Sequence, residues 1–168
     1  RFEAIRTQPN HHVGCGLSHR AVVAEAQRQG LANVLVFEDD VLFTADALPG
    51  LKTALQELQG KEWKLLYLGG CRWNREFPLV EGTTRLATAG AVTCTHAVAY
   101  HASVYDRILS EVPGEPGAML EWMKTHVAID QYYAFSLTER KYLLSPVIAT
   151  QRNIVPLESD RVRRSLVD

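Results

Sequence analysis

Glu38, Asp39 and Asp40 stand in a row at the end of the apolar run 34–37 (Val-Leu-Val-Phe). Three adjacent carboxylates repel one another, and desolvating them is costly unless something compensates. A hard divalent cation would do so. Mg²⁺ and Mn²⁺ take oxygen ligands, commonly one or two carboxylates together with phosphate oxygens. Side chains alternate along an extended chain, so Glu38 and Asp40 face one way and form the expected metal pair. A turn at this point would bring Asp39 in. The triplet also reads as an acidic loop, with Asp40 capping the turn that follows. The spacing leaves both readings open.

The surrounding elements must place those carboxylates. Residues 2–5 (FEAI) predict a short strand, followed by a loop holding Pro9, His11, His12 and Gly14. Residues 17–28 predict a helix with Leu17, Ala21 and Ala24 on one stripe, and Gly30 falls where its C-cap would be. The run 34–37 predicts a strand covered on both faces. Leu48, Leu51, Leu55 and Leu58 predict a second helix, with Pro49 in its first turn. Residues 65–68 predict a second buried strand, stopped by Gly69-Gly70. A long loop is expected over 71–90, a strand over 93–100, a short helix over 103–111, further helix over 118–138 and strand over 142–149. Strands alternating with helices indicate an α/β layered domain, expected to occupy 1–168 as one unit. Ligands in such sheets gather outside the carboxyl ends of strands, where the triplet lies.

With a net charge of −1, nothing in the composition points to nucleic acid or an anionic membrane as partner. The one dense basic stretch, Arg161, Arg163 and Arg164, reads as a solvated tail, with guidance of an anionic acceptor or lipid surface as its alternative. Cys15, Cys71 and Cys94 are odd in number and form no CxxC pair, which fits a reducing compartment better than a disulfide scaffold. No apolar run is long enough to span a bilayer, and no signal peptide is visible. The chain begins at Arg1, so a start segment is expected to be missing. His11, His12, Cys15 and His19 are competent zinc ligands, but their spacing matches no usual zinc motif.

Read together, the motifs suggest a family. Gly14-Cys15-Gly16-Leu17-Ser18-His19, then a helix, then an apolar strand ending in Glu38-Asp39-Asp40, resembles the G-x-x-x-S-H and E-D-D pattern of glycosyltransferase family 25. That family includes bacterial lipooligosaccharide galactosyltransferases and collagen galactosyltransferases. Thr95-His96-Ala97-Val98-Ala99-Tyr100, Ala128-Ile129-Asp130-Gln131 and residues 146–151 resemble its later segments, although His101 stands where a serine is usual. The family's usual first strand, with its I-N-L-x-x-R-x-D-R pattern, has no counterpart.

The resemblance implies a GT-A-like nucleotide-diphospho-sugar transferase fold, N-terminally truncated, with a UDP-sugar donor, often UDP-galactose, and inversion at the anomeric carbon. It implies that Glu38 and Asp40 hold Mn²⁺ or Mg²⁺ against the donor diphosphate. Ser18 and His19 would orient the acidic loop or touch the donor, and Asp39 and Gln151 would lie at the cofactor. An inverting transfer needs a general base. Asp130, in an otherwise apolar stretch, is the candidate, with a helix-capping role as its alternative. His96 and His101 should point to opposite faces, one of them toward the core, with His96 a candidate to reach the metal or the diphosphate. Arg72 and Arg75, on the long loop, are candidates to meet the diphosphate, and Gln151, Arg152 and Asn153 to line the acceptor or donor site; Trp73 and Trp122 are expected to pack rather than to serve as sugar platforms. Expected partners are a nucleotide-sugar donor and a glycan acceptor, with a homodimer left open. The expected location is the cytoplasm, or the inner-membrane periphery. The rival readings are another metal enzyme on phosphate esters, such as a nucleotidyltransferase, and a non-catalytic binding or assembly module.

Overall fold

The computed structural model describes residues 1–8, 10–72 and 77–152. Trp73, Asn74, Arg75, Asn153 and the basic stretch of Arg161, Arg163 and Arg164 lie outside them. A five-stranded sheet forms the centre, in the order β1 (Asn33–Phe37), β7 (Ala97–His101), β3 (Leu65–Tyr67), β8 (Lys141–Leu144) and β5 (Leu86–Thr88). Only the β3–β8 pair is parallel; the other three are antiparallel. Two short ribbons flank it, β2 (Val41–Phe43) with β9 (Ala149–Gln151), and β4 (Cys71–Arg72) with β6 (Val92–Thr93).

The period-two alternation of the central strands divides the core. Leu65, Tyr67, Val98, Tyr100 and Leu143 face α1 (His11–Arg28), α3 (Tyr105–Glu111), α4 (Pro116–His126) and α5 (Ile129–Phe135). Leu66, Leu68, Ala97, Ala99 and Leu144 face α2 (Ala47–Leu58). The expected α/β layering is present, with a mixed sheet.

Several local expectations are corrected. Helix α1 begins at His11, not Leu17, because Asn10 Oδ1 accepts the His12 N–H at 3.0 Å and caps it. Its buried positions are Val13, Gly14, Gly16, Leu17, His19, Val23 and Ala26; Ala21 and Ala24 are half-buried. The glycines that suggested a loop serve close packing. A Cβ on Gly16 would meet Met119 Cε at 3.1 Å, and one on Gly14 would collide with the Ile5 carbonyl. Gly30, at φ 66°, ends the helix as expected. Its N–H donates to Gln27 O and the Leu31 N–H to Ala26 O, the paired bonds of a Schellman cap.

Residues 2–5 form no strand; they cross α1 and donate the Ile5 N–H to Ser18 Oγ at 2.8 Å. Strand β1 is not covered on both faces. It is the sheet's edge, and Leu35 and Phe37 are exposed. An apolar run does not distinguish one covered face from two. In α2 the buried residues are Gly50, Ala54 and Leu58, whereas Leu48 is 82% exposed. The interval 71–90 contains β4 and β5. The expected strand 93–100 is interrupted at Cys94 (φ 71°), and the helix over 118–138 at Val127 (φ 65°). Residues 142–149 hold the end of β8, a cis Ser145–Pro146 bond and the start of β9.

Candidate active site

Strand β1 delivers the acidic triplet to the edge of the sheet. The ladder pairs Phe37 with Ala97, and the Glu38 N–H then donates to His96 O at 3.0 Å, continuing the pairing one residue further. The chain turns next: the Val41 N–H donates to Glu38 O at 3.2 Å. The triplet is therefore not a plain extended segment, and its three side chains have different surroundings.

Glu38 reaches inward. Its Oε1 accepts the Thr95 hydroxyl at 2.6 Å and contacts His19 Nε2 at 3.1 Å. His19 is buried on α1, and its Nδ1 lies 2.7 Å from the Tyr100 hydroxyl. Cys15, one helical turn before His19, lies 3.9 Å from Thr95 Oγ1. The ligand-type atoms of Cys15, His19 and Glu38 all fall within 4.8 Å of one another. Burial alone would lower the proton affinity of His19, but its hydrogen bonds to Cys15 and Glu38 outweigh that and raise its pKa to about 9. Burial works against the Glu38 carboxylate too. The bonds from His19 and Thr95, with the nearby charges of His19 and His96, nonetheless hold its pKa below the usual value. At neutral pH this is an imidazolium–carboxylate pair with Tyr100 and Thr95 completing its bonds.

Asp40 is held from the opposite side by the β2–β9 ribbon. Gln151 Nε2 donates to Asp40 Oδ2 at 3.2 Å, and the Arg152 N–H donates to the Asp40 carbonyl at 2.8 Å. Its other oxygen, Oδ1, is buried without a hydrogen-bond partner, as is Nδ1 of His96. Burial and the charge of Glu38 raise the Asp40 pKa. Orphaned buried polar atoms are uncommon and call for an explanation. Together with the like charge of Glu38, the Asp40 oxygen fits a divalent cation, and Glu38 Oε2 is the oxygen that its own network leaves over. Asp39 is exposed.

An open cleft of about 1270 Å³ runs past this centre, lined by the 1–8 segment, by Cys15, Ser18 and His19 of α1, and by Phe37, Glu38 and Asp39. Ser18 borders it with its hydroxyl already engaged, donating to Gly14 O at 2.7 Å and accepting from Ile5 N–H. Gly14 and Ser18 thus dock the N-terminal segment, while His19, the next residue, supports Glu38.

Asp130 lies in the first turn of α5 and does not cap the helix with its side chain. Its Oδ2 accepts the Cys94 N–H at 3.0 Å and its Oδ1 the Gln131 N–H at 2.8 Å. It fixes the backbone just before Thr95 and His96, which connects it to the Glu38 centre through three consecutive residues. His96 is buried, with Nε2 3.4 Å from Ala149 O. His101, at the far end of β7, instead meets Ser103 Oγ at 2.9 Å and the Trp63 ring. Trp122 packs as expected, stacked on His126.

Thr95, Tyr100 and Cys15 were named from sequence in motifs, but not as partners of the Glu38 carboxylate. Cys15 and His19 at i and i+4 share a helical face, which was a usable signal. A strand tyrosine whose hydroxyl needs a buried partner was a weaker one. Thr95 stood in the family-like segment, but nothing local gave it a role.

The match to known proteins covers the part of this centre built from α1, β1 and β7; Asp130 and Gln151 lie beyond it. The family model for glycosyltransferase family 25 (LPS biosynthesis protein) matches residues 5–127, most of the chain. The chain belongs to glycosyltransferase family 25. It is 36% identical over 111 residues to the human inactive glycosyltransferase 25 family member 3, covering 64% of this chain and 19% of the human protein. It is 40% identical over 88 residues to the probable inactive member 3 of Bos taurus, covering 51% of this chain and 15% of that protein. A Mus musculus inactive member 3 is 41% identical over 81 residues, covering 46% and 14%. The match therefore spans under a fifth of these family 25 relatives. Among the described residues of this family 25 chain, no helix is long and apolar enough to cross a membrane.

Proposed function

We propose that this family 25 chain binds a UDP-sugar through a divalent cation and transfers the sugar, galactose in the first instance, to a glycan hydroxyl with inversion on a GT-A-like fold. The observation that carries the reading is the orphaned Asp40 Oδ1 beside Glu38, at the end of β1. Asp40 and Oε2 of Glu38 would hold Mn²⁺ or Mg²⁺, with Asp39 and His96 toward the diphosphate. Such an ion supplies Lewis-acid stabilisation of the departing diphosphate. Gln151 keeps the Asp40 carboxylate in place, and His19 and Thr95 do the same for Glu38. Asp130 is the proposed base. Each of its oxygens accepts one backbone N–H, and a carboxylate oxygen has a second lone pair to receive the acceptor's proton. The exposed cleft along 1–8 and α1 would take the donor.

A second reading is favoured by the names of the relatives, which are called inactive: donor binding without transfer. Calorimetric titration of UDP with and without Mn²⁺, on the natural chain and Asp40→Ala, tests the shared part. Mn²⁺-dependent binding lost in the variant is expected. Absence of binding by a folded chain extended upstream would refute the donor site. UDP release from UDP-galactose with an acceptor glycan then separates transfer from binding. Pyrophosphate or free phosphate as product would favour a different phosphate-ester enzyme.

A further inference from the structure

We propose that Cys71 and Cys94 form a reversible intramolecular disulfide that clamps the 94–96 connection beneath the carboxylate centre. Antiparallel β4–β6 pairing sets Cys71 opposite Thr93, so Cys94 lies one residue past that partner. The Cys94 thiol donates to Cys71 Sγ at 2.9 Å, less than 1 Å beyond the roughly 2.05 Å of a covalent S–S bond. The two residues are far apart in sequence, so the register of the ribbon creates this approach. Cys71 is exposed and Cys94 half-buried. The hydrogen bond to Cys71 and burial push the Cys94 thiol's pKa up, so Cys94 keeps its proton, and the exposed Cys71 is the thiol that a dissolved oxidant meets. Cys15 lies apart, in the Glu38 cluster.

The oxidant is a low-molecular-weight disulfide such as glutathione disulfide. The Cys71 thiolate attacks one of its sulfurs, forming a mixed disulfide and releasing one glutathione thiolate. Cys94, deprotonated as it approaches, attacks Cys71 Sγ and expels the second glutathione thiolate. The protons lost by the cysteines end on the two glutathiones. Two cysteine thiols are oxidised by two electrons, and one glutathione disulfide is reduced to two thiols.

The consequence follows from the chain path. Cys94, at φ 71°, is bonded through its N–H to Asp130, and the next residue, Thr95, holds Glu38 Oε1. A covalent tie at Cys94 therefore restrains the residues that set both the carboxylate centre and Asp130.

The folded chain is equilibrated with glutathione disulfide at pH 8, alkylated under denaturing conditions and mapped by mass spectrometry. A Cys71–Cys94 bridged peptide, two hydrogens lighter, with Cys15 alkylated, is expected. The same bridge should form in Cys15→Ser, and Cys71→Ser should leave Cys94 unbridged. Stable glutathione adducts, a bridge to Cys15 or bridges between chains would overturn the proposal. Amide exchange at Cys94 and Thr95 should slow about tenfold or more on oxidation. Unchanged exchange in a chain carrying the bridge would overturn the clamp. None of these readouts requires donor binding.

Discussion

Removing the charge of Glu38 should destabilise the protein in a way that depends on pH. The perturbation is Glu38→Gln, which keeps the shape and an oxygen for the Thr95 hydroxyl but removes the anion facing His19. The rise of the His19 pKa from 6.5 to about 9 corresponds to about 3 kcal/mol of preference for the charged ring, at roughly 1.4 kcal/mol per tenfold change in proton affinity. Cys15 and Glu38 share the credit for it, so the expected loss in Glu38→Gln is about 2 kcal/mol near pH 6. The folded pKa of His19 lies above its unfolded value. Its contribution is therefore complete below pH 6.5 and disappears as the pH rises through about 9. Glu38 titrates below this window, since its folded pKa is lowered from 4.5. Urea unfolding of both chains, with chelator present, at pH 6 and pH 9.5 measures the difference. The loss should shrink toward zero, or change sign, at the higher pH, where a buried carboxylate faces a neutral ring. An equal loss at both pH values would refute the ion-pair account.

Three further outcomes are expected. Asp40→Asn should lower Mn²⁺-dependent UDP affinity tenfold or more, on the order of 1.4 kcal/mol. Stability should hold or rise, because the Asp40 charge is disfavoured by burial and by Glu38; calorimetry and thermal melting read the two effects. Gly14→Ala adds about 1 kcal/mol of helix propensity, yet its Cβ collides with the Ile5 carbonyl and should free the 1–8 segment. The melting temperature should change little while exchange of the Ile5 amide, bonded to Ser18, accelerates. Lys141 is buried, donates to Tyr133 O and Ala134 O, and has its pKa lowered by burial from 10.5 to about 8. Between pH 8 and 10 the unfolded chain holds the extra proton, so Lys141 makes stability rise with pH. The slope of unfolding free energy over that range should be less positive in Lys141→Met than in the natural chain.

The place of the candidate site was legible in the sequence because its signals are local. Residues 34–37 running into Glu38-Asp39-Asp40 describe a strand that ends in charge, and the family 25 match over residues 5–127 holds the motifs from Gly14 to Tyr100. The continuous apolar run 65–68 indicates a buried central strand, and Leu65, Leu66, Tyr67 and Leu68 are all buried. What alternation alone did not give was partnership. Glu38 and Asp40 share a parity, yet one is bonded by His19 and Thr95 and the other by Gln151, because α1, β7 and β9 approach the turn from different sides. Ser18 and Gly14 gained a docking role only through a segment that crosses α1, and Asp130 through the backbone of Cys94. Sequence spacing determines which face of an element a side chain occupies. Which element lies against that face depends on sheet order and register, and those arise from the whole core at once.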